Sequence, residues 1–300
     1  METKISSLYK NKYVNVLAGI LISMRPGQWT KNLLIFAGII FSENFFNIPL
    51  LIDTIIGFFV FSLVSGSVYL VNDINDMEAD KKHPTKRFRP LPSGRITIRQ
   101  AVFSVLVLLL FSTGIAFIIN INFGLITLAY FLLVTLYSLY LKNIVIIDIL
   151  TIASGFVLRA VAGVFIVETS ISPWLIVCTI LLALFLTLGK RRHEITVLKE
   201  EAGKHRQVLE HYSVAYLEQL ITIVTAATII AYSLYTFNSE KSIFLMFTIP
   251  FVIYGIFRYL YLIHQHNKGG SPEAILLEDK PLLINIIAWV LVSLFILYYL

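Results

Sequence analysis

The sequence predicts an all-α polytopic membrane protein, nine transmembrane helices forming one integral membrane domain over residues 1–300. Three observations carry this. Of the 300 residues, 57% are hydrophobic and only 14% charged, against about 25% charged in an ordinary soluble domain. The mean hydropathy is +0.81. The apolar runs are long and continuous rather than alternating, which favours helices over barrel strands, the two structures that satisfy their backbone inside lipid. The single cysteine, Cys178, excludes an intramolecular disulfide and a cysteine-based zinc site.

A helix needs about 20 apolar residues to cross a bilayer. Residues 1–28 read as an N-terminal interfacial segment. Lys10 and Lys12 precede the apolar run Tyr13–Met24, but Arg25-Pro26-Gly27 follows where a signal peptide would carry small residues. Residues 13–24 are therefore expected to lie in the interface. Trp29–Phe46 is a short first span and 54–72 the second. The run 100–141 is twice too long for one crossing, and Asn120, Asn122 and Gly124 split it into the third and fourth. Residues 143–167 make the fifth, interrupted by Asp148 and Arg159. The sixth and seventh are 169–189 and 219–239. The eighth is 242–257 with an amphipathic end at Arg258–His264, and the ninth is 281–300.

Of the 24 Lys and Arg, all but Lys241 and Arg159 fall on one side of these spans or at its membrane edge. The positive-inside rule makes that side cytoplasmic, with the N-terminus inside and the C-terminus outside. The net charge of +6 is thus polarised across the membrane, and no nucleic-acid partner is expected because most of the basic residues sit in juxtamembrane loops. Two long loops, 73–98 and 190–215, lie on the cytoplasmic side with a third at about 264–281. The opposite loops are short, so a cavity and its chemistry are expected to face the cytoplasm.

The second span ends in Asn72-Asp73-Ile-Asn-Asp76-Met-Glu78-Ala-Asp80. On a helix Asn72, Asp73, Asp76 and Asp80 share one face, and Glu78 points away. Three carboxylates crowded at a helix C-terminus oppose the macrodipole and repel one another. They suit a hard cation such as Mg²⁺, usually held by one or two carboxylates plus substrate phosphates. Asp73, Asp76 and Asp80 are the expected metal ligands and catalytic residues. Lys86, Arg87 and Arg89 follow, set between prolines, and suit a phosphate. Lys31 beside Trp29 reads equally as a lipid-phosphate ligand or a snorkelling anchor. Asp148 is expected near the cytoplasmic end of its span, lining the cavity. Arg159 lies deeper, where an ionisable residue reads as functional by default and a structural bond to carbonyls or helix ends reads at least as well.

Asn72-x-x-x-Asp76-x-x-x-Asp80, followed by Arg89-Pro-Leu-Pro-Ser-Gly94 and then Tyr137-Ser-Leu-Tyr-Leu-Lys142, Asp148 and Arg159, resembles the UbiA-type intramembrane prenyltransferase superfamily over nearly the whole chain. Most members carry a second D-x-x-x-D motif after the sixth span. Here the sequence reads Leu188-Gly-Lys-Arg-Arg-His-Glu194. Arg25-Pro-Gly-Gln-Trp-Thr-Lys-Asn32, His83-Pro-Thr-Lys-Arg-Phe-Arg-Pro90, Lys190-Arg191 with Glu194, and Ser271-Pro-Glu-Ala-Ile-Leu-Leu-Glu-Asp279 are similar to the decaprenyl-phosphate phosphoribosyltransferase branch. The resemblance implies a UbiA-like bundle in the bacterial inner membrane, Mg²⁺, and transfer of phosphoribose from phosphoribosyl pyrophosphate to a polyprenyl phosphate. It also implies substrate-binding roles for Asn72, Lys31, Lys86, Arg87, Arg89, Lys142, Asp148, Lys190, Arg191 and Glu194. Glu194 is expected to pair with Lys190 or to bind a ribose hydroxyl.

Two other readings stay open on sequence. One is a prenyltransferase of the same superfamily with an aromatic acceptor, disfavoured by the missing second acidic motif. The other is a transporter, disfavoured because no internal repeat is visible and the polar residues gather at one face.

Overall fold

Twelve α-helices and connecting 3₁₀ turns build the large part of the chain seen in the computed structural model, which describes residues 12–199, 203, 206–238, 242–266 and 269–300. Lys10 and Lys241, residues 1–11 of the interfacial segment, and residues 200–202, 204 and 205 of the second long loop lie outside the described residues. No strand occurs among the described residues. Helix α1 (Lys12–Ser23) comes first, then a 3₁₀ stretch Pro26–Ile35 and short α2 (Phe36–Phe41). Next are α3 (Ile48–Asn75), short α4 (Met77–Lys82), α5 (Ile98–Ile119), α6 (Ile121–Leu139), α7 (Ile147–Val167), α8 (Pro173–Leu198) and α9 (Val214–Phe237). The last three are α10 (Ile249–Gln265), short α11 (Pro272–Glu278) and α12 (Lys280–Tyr299).

Eight helical segments among the described residues are long and apolar enough to cross a membrane, so this is a multi-pass membrane protein. The expectation was nine. The difference is Trp29–Phe46, which is not one α-helix but the 3₁₀ stretch continued by α2. Length explains the choice. Between Pro26 and Phe41 an α-helix would reach only about 24 Å, short of a core about 30 Å thick. A 3₁₀ rise of about 2.0 Å per residue stretches the same chain to about 29 Å. The segment runs from one end of the bundle to the other. Arg25 meets Asp73 at the end of α3, and the Phe45 amide meets the Tyr298 hydroxyl at the end of α12. Pro26 starts it, after Arg25 in the left-handed region (φ 52°).

The helix boundaries follow local chemistry. Asn120 divides α5 from α6 as expected, its side chain accepting the amides of Asn122 and Phe123. Gly124 is required there, since a Cβ would overlap the Phe117 ring. Thr97 and Gln100 form a capping box at the start of α5. Asp279 caps α12 and is gripped by Arg258 through both carboxylate oxygens.

Each long helix packs on its neighbours in sequence, from α3 through α5, α6, α7, α8 and α9. The stretch from Pro26 to Phe41 lies against α7, in backbone contact at Gly38 and Gly163, the small-residue approach common between helices in lipid. Phe41 meets Trp289 of α12 and closes the ring. Leu110 and Ile118 of α5 are 72% and 84% exposed, as a lipid-facing surface requires. One apolar core gathers Phe61, Phe123 and Tyr130. Another gathers Phe185, Leu217 and Tyr259. A cavity of about 1640 Å³ lies between them.

Candidate active site

The cavity has a polar end and an apolar continuation. Pro173 and Lys190 of α8 both line it, and along a helix they stand about 25 Å apart. Asn72, Asp76, Lys86, Lys142 and Lys190 line the polar end, with Arg25, Lys31 and Glu273. Leu34, Phe41, Trp174, Leu182, Phe251 and Trp289 line the remainder.

The acidic motif does not present its four side chains together. Helix α3 stops at Asn75, and Asp76 takes φ −91°, ψ 3° before α4 begins. At about 100° per residue the four side chains fan over about 100°, and the fan is split. Asn72 and Asp76 face the cavity, where Asp76 accepts from Asn72 (3.1 Å), Asn75 (2.9 Å) and Lys142 (3.2 Å). Asp73 and Asp80 are buried on the other side. Arg25 reaches Asp73 at 2.6 Å, and Arg89 bridges Asp73 (3.3 Å) and Asp80 (2.6 Å). The expected three-carboxylate cluster is therefore corrected. Among the described residues no three Asp, Glu, His or Cys side chains form a metal-binding group.

A divalent cation still fits these residues. Among the described residues the buried Asp73 Oδ2 atom has no hydrogen-bond partner, and an orphaned carboxylate oxygen is costly unless a cation or donor reaches it. Asp76 and Asn72 offer further oxygens from the cavity wall, and Mg²⁺ commonly takes one or two carboxylates and leaves the rest to substrate phosphates.

The other expected site residues divide. Lys31, Lys86, Lys142 and Lys190 line the cavity. Burial pushes the Lys86 ammonium below its ordinary range, against the pull of Asp80. Arg87 does not line the cavity: it is exposed and lies over the Phe88 ring at 4.8 Å. Arg89 is spent on Asp73 and Asp80. Lys190 and Glu194 belong to α8, which runs to Leu198, rather than to a loop. Glu194 pairs with Arg191 at 2.6 Å, not with Lys190. Asp148 does not line the cavity. It is fully buried, bonded by Arg191 (3.0 Å) and by the Tyr212 hydroxyl (2.8 Å). Arg191, 2% exposed, is thus neutralised by two carboxylates, and its reading as a free phosphate ligand is corrected. Tyr212 also accepts the amide of Ile146 (2.7 Å), a residue held at φ 69°. That angle is costly for a β-branched side chain. Arg159 bonds the Gly155 carbonyl (3.0 Å), Asn32 (2.8 Å) and Tyr130, the structural of the two readings the sequence left open.

Sequence reasoning assigned no role to Arg25, Gln28, Tyr137 or Glu273. All four sit inside segments singled out by resemblance, but only the fold shows what each touches. Glu273 of α11 accepts from Gln28 and Ser271 and lies 3.6 Å from Lys31. It ties the last loop to the 3₁₀ stretch across the cavity rim. Burial opposes its ionisation, yet Lys31, Ser271 and Gln28 outweigh burial and hold its carboxyl at about 2. A depressed carboxylate stabilises fully above its ordinary value of 4.5 and loses that contribution as pH falls through about 2. The melting gap between wild type and Glu273→Gln should therefore be equal at pH 7 and pH 5 and narrow only in more acid solution. Thermal unfolding in detergent checks this, and a gap closing already at pH 5 would contradict it.

With this geometry in hand, similarity to known proteins is informative. The UbiA prenyltransferase family model matches residues 32–278. Decaprenyl-phosphate phosphoribosyltransferase of Corynebacterium glutamicum is 34% identical over 286 residues, covering 92% of this chain and 86% of that protein. The protein of the same name from Mycobacterium tuberculosis is 32% identical over 283 residues, covering 92% and 93%. A UbiA homologue from Archaeoglobus fulgidus, solved with DMAPP and Mg²⁺, superposes with a TM-score of 0.72 at 21% identity, over 97% of this chain and 100% of that one.

Proposed function

Because this chain belongs to the UbiA prenyltransferase family, we propose that it transfers 5-phosphoribose from phosphoribosyl pyrophosphate to a polyprenyl phosphate of the decaprenyl type, releasing pyrophosphate. The observation that supports this best is the cavity itself. Its polar end is lined by Arg25, Lys31, Lys86, Lys142 and Lys190, and a long apolar continuation leads away from them. Such a site suits two phosphorylated substrates, one with a hydrocarbon tail. A prenyl diphosphate with a neutral aromatic acceptor needs fewer cations. The relatives named for this reaction support the same reading.

In this reading the C1–O bond to the diphosphate breaks and a C1–O bond to the lipid phosphate forms, inverting C1. The lipid phosphate is already anionic, so no strong general base is needed, and catalysis is positioning and charge stabilisation. Asn72 and Asp76 would hold Mg²⁺ from the cavity wall, and the ion would supply Lewis-acid neutralisation of the leaving diphosphate. Lys86 and Lys142 hold diphosphate oxygens beside Asp76. Lys31, kept at the rim by Gln28 and Glu273, receives the lipid phosphate. Arg25 and Arg89 keep Asp73 and Asp80 in place. The test is pyrophosphate release with each substrate omitted in turn. Release that needs both substrates supports the proposal, and release without the lipid phosphate contradicts it.

The proposed orientation puts this polar end in the cytoplasm, where a charged soluble donor is found, with residues 73–98 and 190–215 on that side. Single-cysteine probes at the exposed Ser93 and Ser213, after replacement of Cys178, should be shielded from an impermeant thiol reagent in intact cells. A probe at the exposed Asn238 should react. Ser242 is a poor reporter because it is buried. Labelling of Ser93 or Ser213 from outside would overturn the orientation.

A further inference from the structure

We propose that Arg206, with Lys190, forms a second phosphate site that receives the 5-phosphomonoester of the sugar donor, separate from the Asn72–Asp76 site that receives its diphosphate. This rests on the phosphoribosyl reading above and extends it to a residue that reading does not use.

Most cations near the polar end already have a carboxylate beside them. Arg25 and Arg89 neutralise Asp73 and Asp80, and Lys142 is paired with Asp76. Lys31 faces Glu273, and Arg191 carries both Asp148 and Glu194. Lys190 and Arg206 form no ion pair among the described residues, and both line the cavity.

Arg206 is half-buried. Its guanidinium lies 5.5 Å from the centre of the Tyr137 ring, and its Nη2 donates to the Tyr137 hydroxyl. A phenol occupies one N–H and neutralises no charge, so most of the five-donor guanidinium remains for an anion. The planar fork matches two oxygens of a phosphomonoester. The same hydroxyl accepts from Arg191 at 3.3 Å, and Arg191 is itself clamped by Asp148 and Glu194. Tyr137 is thereby held from one side and orients Arg206 from the other. Because Lys190 directly precedes Arg191 on α8, this contact also brings Arg206 to the turn that carries Lys190. Tyr137 precedes Lys142 by little more than one helical turn of chain, and Lys142 reaches Asp76. The cavity wall therefore runs from Arg206 past Tyr137 to the diphosphate site, as a pentose phosphorylated at both ends requires.

The test uses the purified full-length protein in lipid nanodiscs. Transfer of labelled phosphoribose is followed with ribose 5-phosphate or inorganic pyrophosphate added as competitor. Arg206→Ala should weaken inhibition by ribose 5-phosphate at least about tenfold, the size expected for lost charged hydrogen bonds, and leave inhibition by pyrophosphate unchanged. Arg206→Lys, which keeps the charge without the fork, should fall between, and supplies the comparison of the two competitors if the alanine variant does not fold. Equal weakening of both competitors, or of neither, overturns the proposal. A wild type that transfers no phosphoribose overturns the reaction instead. A wild type that transfers it, with Arg206→Ala still inhibited normally by ribose 5-phosphate, overturns this site alone.

Discussion

Asp76→Ala should lower kcat by about two to three orders of magnitude, the cost typical of removing a charge-stabilising group from a water-poor site. Asp76 is the motif carboxylate that lines the cavity, and it gathers Asn72, Asn75 and Lys142 around itself. EDTA should bring wild type to a similar level and added Mg²⁺ should restore it. Glu78→Ala is the matched control. Its side chain is 74% exposed and pairs with Lys81 one turn on, so activity should stay near wild type. Initial rates for the two variants, with and without chelator, decide the matter. Full activity of Asp76→Ala, or of wild type in EDTA, would remove the metal from the account.

Arg191→Ala should destabilise the fold by about 3–5 kcal/mol, the range for removing one partner of a buried ion pair. Asp148, with no exposed surface, and Glu194 would lose their shared cation. Tyr212 would be left holding a strained Ile146 beside an uncompensated carboxylate. Lys190→Ala, one residue earlier, removes no ion pair among the described residues and should leave melting unchanged while raising the KM for the donor. Thermal unfolding and steady-state kinetics on both variants separate the two roles. An Arg191→Ala protein that melts like wild type and only binds donor poorly would restore Arg191 as a simple phosphate ligand.

The contrast between Lys190 and Arg191 shows where sequence reading stops. Composition and run length made the helical membrane class legible, and Asn120 marked a helix boundary by its own side-chain chemistry. The basic cluster now seen within α8 was visible too. Which of two adjacent cations is free depends on carboxylates 43 and three residues away, and no local pattern encodes the former. The acidic motif failed for a related reason. An ideal helix groups Asn72, Asp73, Asp76 and Asp80, but Arg25 and Arg89 come from outside that helix and divide the group. The missing long helix at Trp29–Phe46 reflects a 3₁₀ stretch, whose longer rise hydropathy does not register. Arg206 carried no signal at all, being one arginine in a basic loop.

The most direct measurement offers the purified protein two labelled donors in parallel with Mg²⁺. One is phosphoribosyl pyrophosphate labelled in the ribose, with a polyprenyl phosphate as acceptor. The other is a labelled prenyl diphosphate, with a 4-hydroxybenzoate-like acceptor. Label from the ribose should pass into the lipid fraction as phosphoribosyl polyprenyl phosphate, and the prenyl donor should remain unused. Prenyl transfer to the aromatic acceptor, with the ribose label left in the aqueous phase, would contradict the assignment.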